Sequence, residues 1–196
     1  MARVIVIEFA SLDGVVQDPD GSDGFEQGGW AFRYGPEAVT GDPFRLGELL
    51  DTGALLLGRR TWQLFAKIWP GRSDDFSAKM NAMPKLVASR SLDQVTEWEN
   101  SAVLTGDLVA AARQRKQAQD VLVMGSLSVV QTLMAHDLVD EYRLLVFPLV
   151  LGSGSRLFPD GIWPIDLAPV SVESGGPVVR LVYSRAGREL GSWRGR

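Results

Sequence analysis

The chain lacks cysteine altogether and has a single histidine, His136, among its 196 residues. The absence of cysteine excludes disulfides, thiolate nucleophiles, iron–sulfur clusters and cysteine-ligated zinc. One histidine excludes a multi-histidine metal centre and argues against Ser-His-Asp chemistry. We therefore predict that the protein has no metal site.

Two further features are missing: an excess of positive charge and a long hydrophobic run. Lysine and arginine total 20 against 24 aspartates and glutamates, and this net charge of −4 argues against nucleic-acid binding. No apolar run approaches the roughly 18 residues that a membrane helix needs. Glu8 interrupts the apolar run that begins at Val4, before it reaches the length of a signal-peptide core. We predict a cytoplasmic protein whose partners include neither nucleic acid nor a membrane.

The chain also lacks internal repeats, low-complexity stretches and an evident linker, so we predict one domain over residues 1–196. Short apolar runs alternate with amphipathic segments, a pattern typical of an α/β fold with a mostly parallel sheet. The predicted strands are 4–9, 54–57, 85–88, 101–104, 121–124, 141–150 and 178–184. The predicted helices are 44–50, 61–68, 75–83, 108–119 and 128–136. The last two strands have no helix between them and indicate an antiparallel edge, and 21–41 and 153–177 are predicted loops.

Residues with guanidinium and hydroxyl groups follow two of the predicted strands, in one case directly after a glycine. Gly58-Arg59-Arg60-Thr61 follows the second strand, and Ser89-Arg90-Ser91 follows the third. Each motif alone is compatible with a solvated basic turn. Together they predict a phosphate-bearing ligand across the strand ends, where helix N-termini and guanidinium groups bind anions.

A third glycine turn, Gly125-Ser126-Leu127, lies between the strand 121–124 and a helix for which Ser128 and Gln131 form a possible capping box. It is also compatible with anion binding. By contrast, the later Gly152-Ser153-Gly154 does not fit a dinucleotide fingerprint, because no helix pattern follows it. We interpret it as a turn.

The order of these motifs, together with Ser11-Leu12-Asp13-Gly14 after the first strand, resembles the dihydrofolate-reductase-like superfamily. The pattern is most similar to the reductase domain of the bifunctional riboflavin-biosynthesis deaminase–reductase and to its stand-alone relatives. The resemblance spans roughly residues 4–184. It implies a three-layer α/β sandwich, NADPH as the cofactor, a pterin or a pyrimidine as the substrate, and a homodimer. The cysteine-dependent deaminase half is absent.

Site residues follow from this resemblance position by position. It places the cofactor at Gly58, Arg59, Thr61, Ser89, Arg90, Gly125, Ser126 and Leu127, with a strained or cis peptide bond between Gly125 and Ser126. It gives Asp13 to the substrate side, as the catalytic carboxylate that contacts an amino-pyrimidine edge or assists proton delivery. Phe9 and Trp30 are candidate walls for a flat ring.

Several alternatives stay open at this point. Asp13 is also compatible with a simple turn residue. Folate-reducing relatives carry their pocket carboxylate on the first helix, and neither Glu37, Asp42 nor Glu48 is a clear match. Glu8 is another possible pocket carboxylate, although a partly exposed, paired strand residue is the favoured interpretation.

The sequence thus predicts an NADPH-dependent reductase of a small heterocycle, either a pterin such as dihydrofolate or a ribosylamino-pyrimidine. The alternatives are an NADP(H)-binding protein without turnover and an interaction module whose basic turns are only solvated surface.

Overall fold

The structure, a computed structural model, describes residues 1–186. Within them the chain forms eight strands and five α-helices. The strands are β1 (Val4–Ser11), β2 (Ala54–Gly58), β3 (Lys85–Ala88), β4 (Ser101–Val103), β5 (Val121–Val123), β6 (Glu141–Phe147), β7 (Leu167–Gly175) and β8 (Val178–Arg185). The helices are α1 (Leu49–Thr52), α2 (Arg59–Ile68), α3 (Asp75–Ala82), α4 (Leu108–Lys116) and α5 (Leu127–Ala135).

All eight strands belong to one sheet in the order β4-β3-β2-β5-β1-β6-β8-β7. The first six are parallel to their neighbours, whereas β8 runs antiparallel to β6 and β7 antiparallel to β8. The predicted α/β sheet with an antiparallel edge is therefore confirmed. The carboxyl ends of the parallel strands all lie at the same end of the sheet, and ligands bind at that end in folds of this class.

Two hydrophobic cores lie on opposite faces of the sheet, which makes the fold a three-layer sandwich. Ile5 and Ile7 of β1 point into one core, which Trp62 of α2 and Met80 of α3 close from outside. The alternate residues of β1, with side chains of α4 and α5, form the other core. Since strand residues alternate between faces, burial on both faces accounts for the nearly continuous apolar run at the start of the chain.

The prediction of a helix over residues 44–50 is wrong. Arg45 and Gly47 adopt left-handed backbone conformations with φ near 50° and 54°, which interrupt a right-handed helix. The Asp42 carboxylate instead accepts the backbone N–H groups of Leu46 and Gly47 and holds a turn. Only the short α1 follows, while Phe44 is anchored in the core.

The loop predicted over 153–177 contains strand β7, which the sequence analysis does not anticipate. A register shift between Pro169 and Ser171 interrupts its pairing with β8. Proline is tolerated there because β7 is an edge strand. The strand predicted over 141–150 ends early, at Phe147, since Pro148 has no N–H to continue the ladder.

The predicted capping box at the start of α5 is also wrong. Ser126 is the N-cap residue, and its side chain makes no capping hydrogen bond. Gln131 does not reach back to the helix start but donates its side-chain amide to the carbonyl of Arg156, at 3.1 Å. At α4 the predicted cap is confirmed, because the Asp107 carboxylate accepts the N–H of Ala110.

A buried lysine ties β3 to the segments around it. The Lys85 ammonium donates to the carbonyl oxygens of Asn81, Met83 and Glu99 at 2.7, 2.7 and 3.0 Å. It also lies 4.4 Å from the centre of the Trp98 ring. A charged group so deeply placed is stable only when its donors are satisfied, as they are here.

Candidate functional site

The carboxyl ends of β1, β2, β3 and β5 open into one cleft of about 1540 Å³. A pocket for one drug-sized ligand typically has about 300–1,000 Å³, so this cleft has room for a dinucleotide and a second small molecule. Asp13 and Trp30 are not among the residues that line it. The predicted site residues that do line it are Phe9, Gly58, Arg59, Thr61, Ser89, Arg90, Gly125, Ser126 and Leu127.

Two of the glycine turns interlock on this cleft. The Ser126 hydroxyl lies 3.0 Å from that of Thr61, and the N–H of Gly58 donates to the carbonyl of Gly125. A Cβ atom on Gly58 would lie only 2.3 Å from the Ser126 hydroxyl oxygen, and one on Gly125 only 2.9 Å from the Thr61 hydroxyl oxygen. The Gly125–Ser126 peptide bond is cis, which confirms that expectation. The hydrogen bonds and close contacts between them join the β2–α2 and β5–α5 turns along one edge of the cleft.

A Gly58→Ala substitution is expected to destabilise the protein by about 1–3 kcal/mol, because the new methyl group overlaps the Ser126 side chain. The backbone of Gly58 is extended (φ −76°), so alanine adds no backbone strain. Adding Ser126→Gly should restore most of the lost free energy of unfolding in urea titrations. A double variant no more stable than Gly58→Ala alone would contradict this steric explanation.

Arginine and hydroxyl groups line the cleft where β2 and β3 end. Gly58 and Ala88 are register partners in these neighbouring strands, so Arg59 and the Ser89-Arg90 pair follow at adjacent points. Both arginines are exposed, and neither forms an ion pair within residues 1–186. The Ser89 hydroxyl oxygen accepts the N–H groups of Ser91 and Leu92, which leaves its own proton free to donate. This edge is suited to a phosphate group.

Aromatic side chains line another part of the cleft. Phe9 packs at 5.2 Å from Phe44, and Trp69 contacts both Phe65 and Phe76. The Arg72 guanidinium lies 5.2 Å from the centre of the Trp69 ring, over one side of this aromatic lobe. Such a surface suits a flat, apolar ring of a ligand, and the Arg72 guanidinium provides a positive charge at the rim of the lobe.

Trp30 lies in the layer beneath that lobe and does not form its wall. The side chain is fully buried, and its indole N–H donates to the carbonyl of Gln17. It packs edge-on against Phe147, which in turn packs against Phe9. Of the two rings predicted to contact a substrate, only Phe9 reaches the cleft, and Trp30 supports it from behind.

Asp13 holds a turn together outside the cleft. Its carboxylate accepts hydrogen bonds from the Ser11 hydroxyl at 2.6 Å and from the N–H groups of Leu151 and Gly152 at 3.1 and 2.9 Å. These bonds, that from Ser11 above all, lower the pKa of Asp13 to about 2. With its oxygens engaged in this way, Asp13 joins the end of β1 to the loop after β6. The geometry therefore favours the turn role over the substrate role expected from the sequence.

An Asp13→Asn variant should lose about 1–2 kcal/mol of stability at pH 7, because its amide would present N–H donors to backbone N–H groups. The pKa of Asp13 is depressed in the folded state, so the carboxylate stabilises the fold above its ordinary pKa of 3.8. That contribution is lost as the pH falls from about 4 to about 2. Unfolding curves across this range should show the two proteins converging. A constant difference down to pH 2 would contradict the assignment.

Glu8 is one of the carboxylic acids that line the cleft. Its side chain lines the cleft, with Oε1 3.8 Å from the position that a Cβ atom on Gly125 would occupy. Glu8 is a half-buried strand residue, as expected, but its carboxyl group makes no side-chain hydrogen bond or ion pair within residues 1–186, so the expected pairing is wrong. Burial raises its pKa to about 8, which keeps the group largely protonated at pH 7. The sequence contained one indication of this position in the cleft: Glu8 is a single acid inside an otherwise apolar strand.

Within 1–186, no three histidine, aspartate or glutamate side chains are grouped so that they could hold a metal ion. In the same part of the chain, no helix combines the length and apolar character needed to cross a membrane.

The chain is similar to known proteins over most of its length. The model of the RibD C-terminal domain family matches residues 2–181. The uncharacterized protein YyaP of Bacillus subtilis is 29% identical over 143 residues, which cover 68% of this chain and 73% of YyaP. YwjB, an uncharacterized protein of the same organism, is 26% identical over 192 residues, or 95% of this chain and all of YwjB.

Solved structures share the fold. A protein ascribed to riboflavin biosynthesis from Shewanella sp. PV-4 superposes with a TM-score of 0.72 at 21% identity, covering 95% of this chain and all of that one. A pyrimidine reductase-like protein from Corynebacterium diphtheriae gives a TM-score of 0.54 at 11% identity, over 95% of this chain and 92% of its own. Identities this low establish the shared architecture and nothing finer.

Proposed function

The chain belongs to the RibD C-terminal domain family, and from that premise we propose that it is an NADPH-dependent reductase of a small heterocycle. The substrate is either a pterin such as dihydrofolate or a ribosylamino-pyrimidine of the riboflavin pathway. The observation that carries the proposal is the convergence of three turns, after β2, β3 and β5, on one edge of a cleft that also has an aromatic lobe.

The residues on this edge fit the proposed cofactor. Arg59, Ser89 and Arg90 offer two guanidinium groups and a hydroxyl to the adenosine 2′-phosphate, which distinguishes NADPH from NADH. The interlocked turns at Gly58 and Gly125–Ser126 let the backbone approach the pyrophosphate, since neither glycine has a side chain and that of Ser126 is directed at Gly58. When bound, the nicotinamide supplies the hydride, and the protein supplies binding and orientation.

The aromatic lobe supports the assignment of a flat substrate. Phe9, Phe44, Phe65 and Trp69 form apolar walls of a size suited to a pterin or pyrimidine ring. Arg72 is exposed beside Trp69, where it would meet an anionic tail of the substrate, such as a carboxylate or a phosphate. The same walls exclude water from a bound ring, which a hydride transfer requires.

The proposal is tested by measuring NADPH binding through tryptophan fluorescence and NADPH oxidation against a panel of dihydropterins and ribosylamino-pyrimidines. We expect binding in the micromolar range and oxidation with at least one member of the panel. An NADP(H)-binding protein without turnover would bind the cofactor and oxidise it with none. No binding at millimolar NADPH would overturn the assignment and favour an interaction module.

We also propose that the protein is a homodimer. Val170 and Val172 of the edge strand β7 are about 60% exposed, and Val179 of β8 is 38% exposed. An open sheet edge that carries apolar side chains is commonly covered in the native assembly. Light scattering at micromolar concentration should give a mass near twice the 21.4 kDa of the chain, and a monomer mass would refute this proposal.

A further inference from the structure

We propose that Glu8 is the general acid of this site: its carboxyl group holds the proton that the substrate takes up when it is reduced. This inference rests on the proposed reductase function and adds a residue that the family resemblance did not supply. The cleft needs such a group because hydride addition to a polarised double bond leaves a negative charge on the neighbouring heteroatom.

Position singles out Glu8. It lies on β1, the strand between β5 and β6, so it is held by the centre of the sheet and not by a loop. Its carboxyl group adjoins Gly125 and the interlocked turns, on the cofactor edge of the cleft. Phe9, the next residue, faces the aromatic lobe. One strand therefore places an acid beside the proposed cofactor edge and an aromatic wall beside the proposed substrate.

The other acids that line the cleft are engaged elsewhere. Asp18, Asp74 and Asp107 accept backbone N–H groups in turns and helix caps. Asp20 accepts the Ser22 hydroxyl, and Asp23 lies in an exposed loop. Among the acids of residues 1–186 that line the cleft, only Glu8 combines a half-buried position on a central strand with a carboxyl group that has no partner in that part of the chain. A protonated carboxyl group without a protein partner has its O–H free to donate to a ligand.

The protonation state suits this role. Burial holds the pKa of Glu8 near 8, so the group is an acid at neutral pH. In the part of the chain that the structure describes, no opposing charge pairs with it, and burial alone accounts for the raised pKa. The charged groups that share the cleft from the surrounding elements are Arg59, Arg60, Arg72 and Arg90 and the carboxylates of Asp18, Asp20, Asp23, Asp74 and Asp107.

The step is balanced as follows. A carbon of the substrate's C=N or C=O bond gains a hydride, and its π electrons move to the nitrogen or oxygen. That atom takes the proton from Glu8, the O–H bond of the carboxyl group breaks, and Glu8 is left as a carboxylate. Water then returns a proton to Glu8. The net change is one hydride from NADPH and one proton from solvent for each amine or alcohol formed.

The test compares Glu8→Gln with Glu97→Gln, a matched change at an exposed glutamate outside the cleft. The first readout is independent of turnover: carboxyl-carbon NMR of the protein labelled at glutamate. A resonance with a midpoint near pH 8 should be present in the unmodified protein and in Glu97→Gln, and absent from Glu8→Gln. A midpoint below about 6 for the resonance that Glu8→Gln removes would overturn the proposal.

The second readout uses NADPH and the panel compound that the unmodified protein reduces. Glu8→Gln should bind NADPH within about threefold of the unmodified protein, while its single-turnover rate falls about 100-fold or more. The unmodified rate should decline above pH 8, and that decline should be missing from the variant. An unchanged rate in Glu8→Gln overturns the role of Glu8 and leaves the reductase function standing. Absence of NADPH binding or oxidation in the unmodified protein overturns the function itself.

Discussion

The double variant Arg59→Ala, Arg90→Ala is expected to bind NADPH and NADH with about equal affinity, whereas the unmodified protein should prefer NADPH by about 30- to 1000-fold. Both side chains line the cleft at the ends of adjacent strands, and neither is engaged by a carboxylate within residues 1–186. Their charges are therefore available to a phosphate group.

The magnitude follows from charge-assisted hydrogen bonds. One such bond is worth about 1.5–3 kcal/mol, so two arginines would contribute about 3–6 kcal/mol. Both guanidinium groups are exposed and salt screens them, which reduces the expected contribution to about 2–4 kcal/mol. At 1.4 kcal/mol for each factor of ten, this gives the stated range. NADH lacks the 2′-phosphate and should lose most of it.

Titration of both cofactors by fluorescence quenching measures the effect. Arg113→Ala is the matched control, because Arg113 lies on the exposed face of α4 and does not line the cleft. It should retain the preference for NADPH. Raising the salt concentration should lower the ratio of NADPH affinity to NADH affinity in the unmodified protein and leave that ratio unchanged in the double variant. Equal affinities in the unmodified protein would refute the assignment of both arginines.

Lys85→Ala is expected to lower the free energy of unfolding by about 3–5 kcal/mol. The substitution leaves the carbonyls of Met83 and Glu99 without the donor they have in the structure, and it opens a gap beside the Trp98 ring. An unpartnered buried polar group costs about 1–3 kcal/mol, and the lost volume adds to this. For a domain of this size, the loss corresponds to a fall in Tm of roughly 6–20 °C.

Urea and thermal unfolding measure this change, with Lys79→Ala as the control. Lys79 pairs with Asp51 at 2.6 Å, but both side chains are about half exposed, so its removal should cost less than about 1 kcal/mol. If Lys85→Ala were no more destabilising than Lys79→Ala, the three carbonyl contacts would not be responsible for anchoring β3. The cleft is lined by residues at the ends of β2 and β3, so this lysine also stabilises the candidate site indirectly.

Periodicity and turn chemistry predicted the parts of this molecule that depend on local sequence. The buried parallel strands, the cap at Asp107 and the three turns at Gly58, Ser89 and Gly125 all follow from short-range patterns. The turns come together because parallel strands end on the same side of a sheet. Knowing the class of fold was therefore enough to predict that they would share a cleft.

The errors occur where distant contacts decide. Asp42-Pro43 has the features of a helix start, but Phe44 and Leu46 are both buried in one core, and the turn that the Asp42 carboxylate holds places them there. Asp13 has the features of a pocket acid, yet the loop around Leu151, which is 138 residues away, takes up its oxygens. Glu8 has the features of a paired strand residue, but its surroundings are set by the turn that follows β5, and no charged partner lies there within residues 1–186. In each case, a partner remote in sequence determines the role.

The interlock between Gly58 and Ser126 constrains how this cleft can change by mutation. A side chain at position 58 fits only if the one at position 126 is first removed, because the two would occupy the same space. Substitutions at these positions are therefore non-additive, and their order matters. A lineage that acquires glycine at 126 can later accept alanine at 58 without the clash between the two side chains. In the reverse order the intermediate has a clash at this edge of the cleft, so one of the two mutational routes between the same end points passes through a less stable protein.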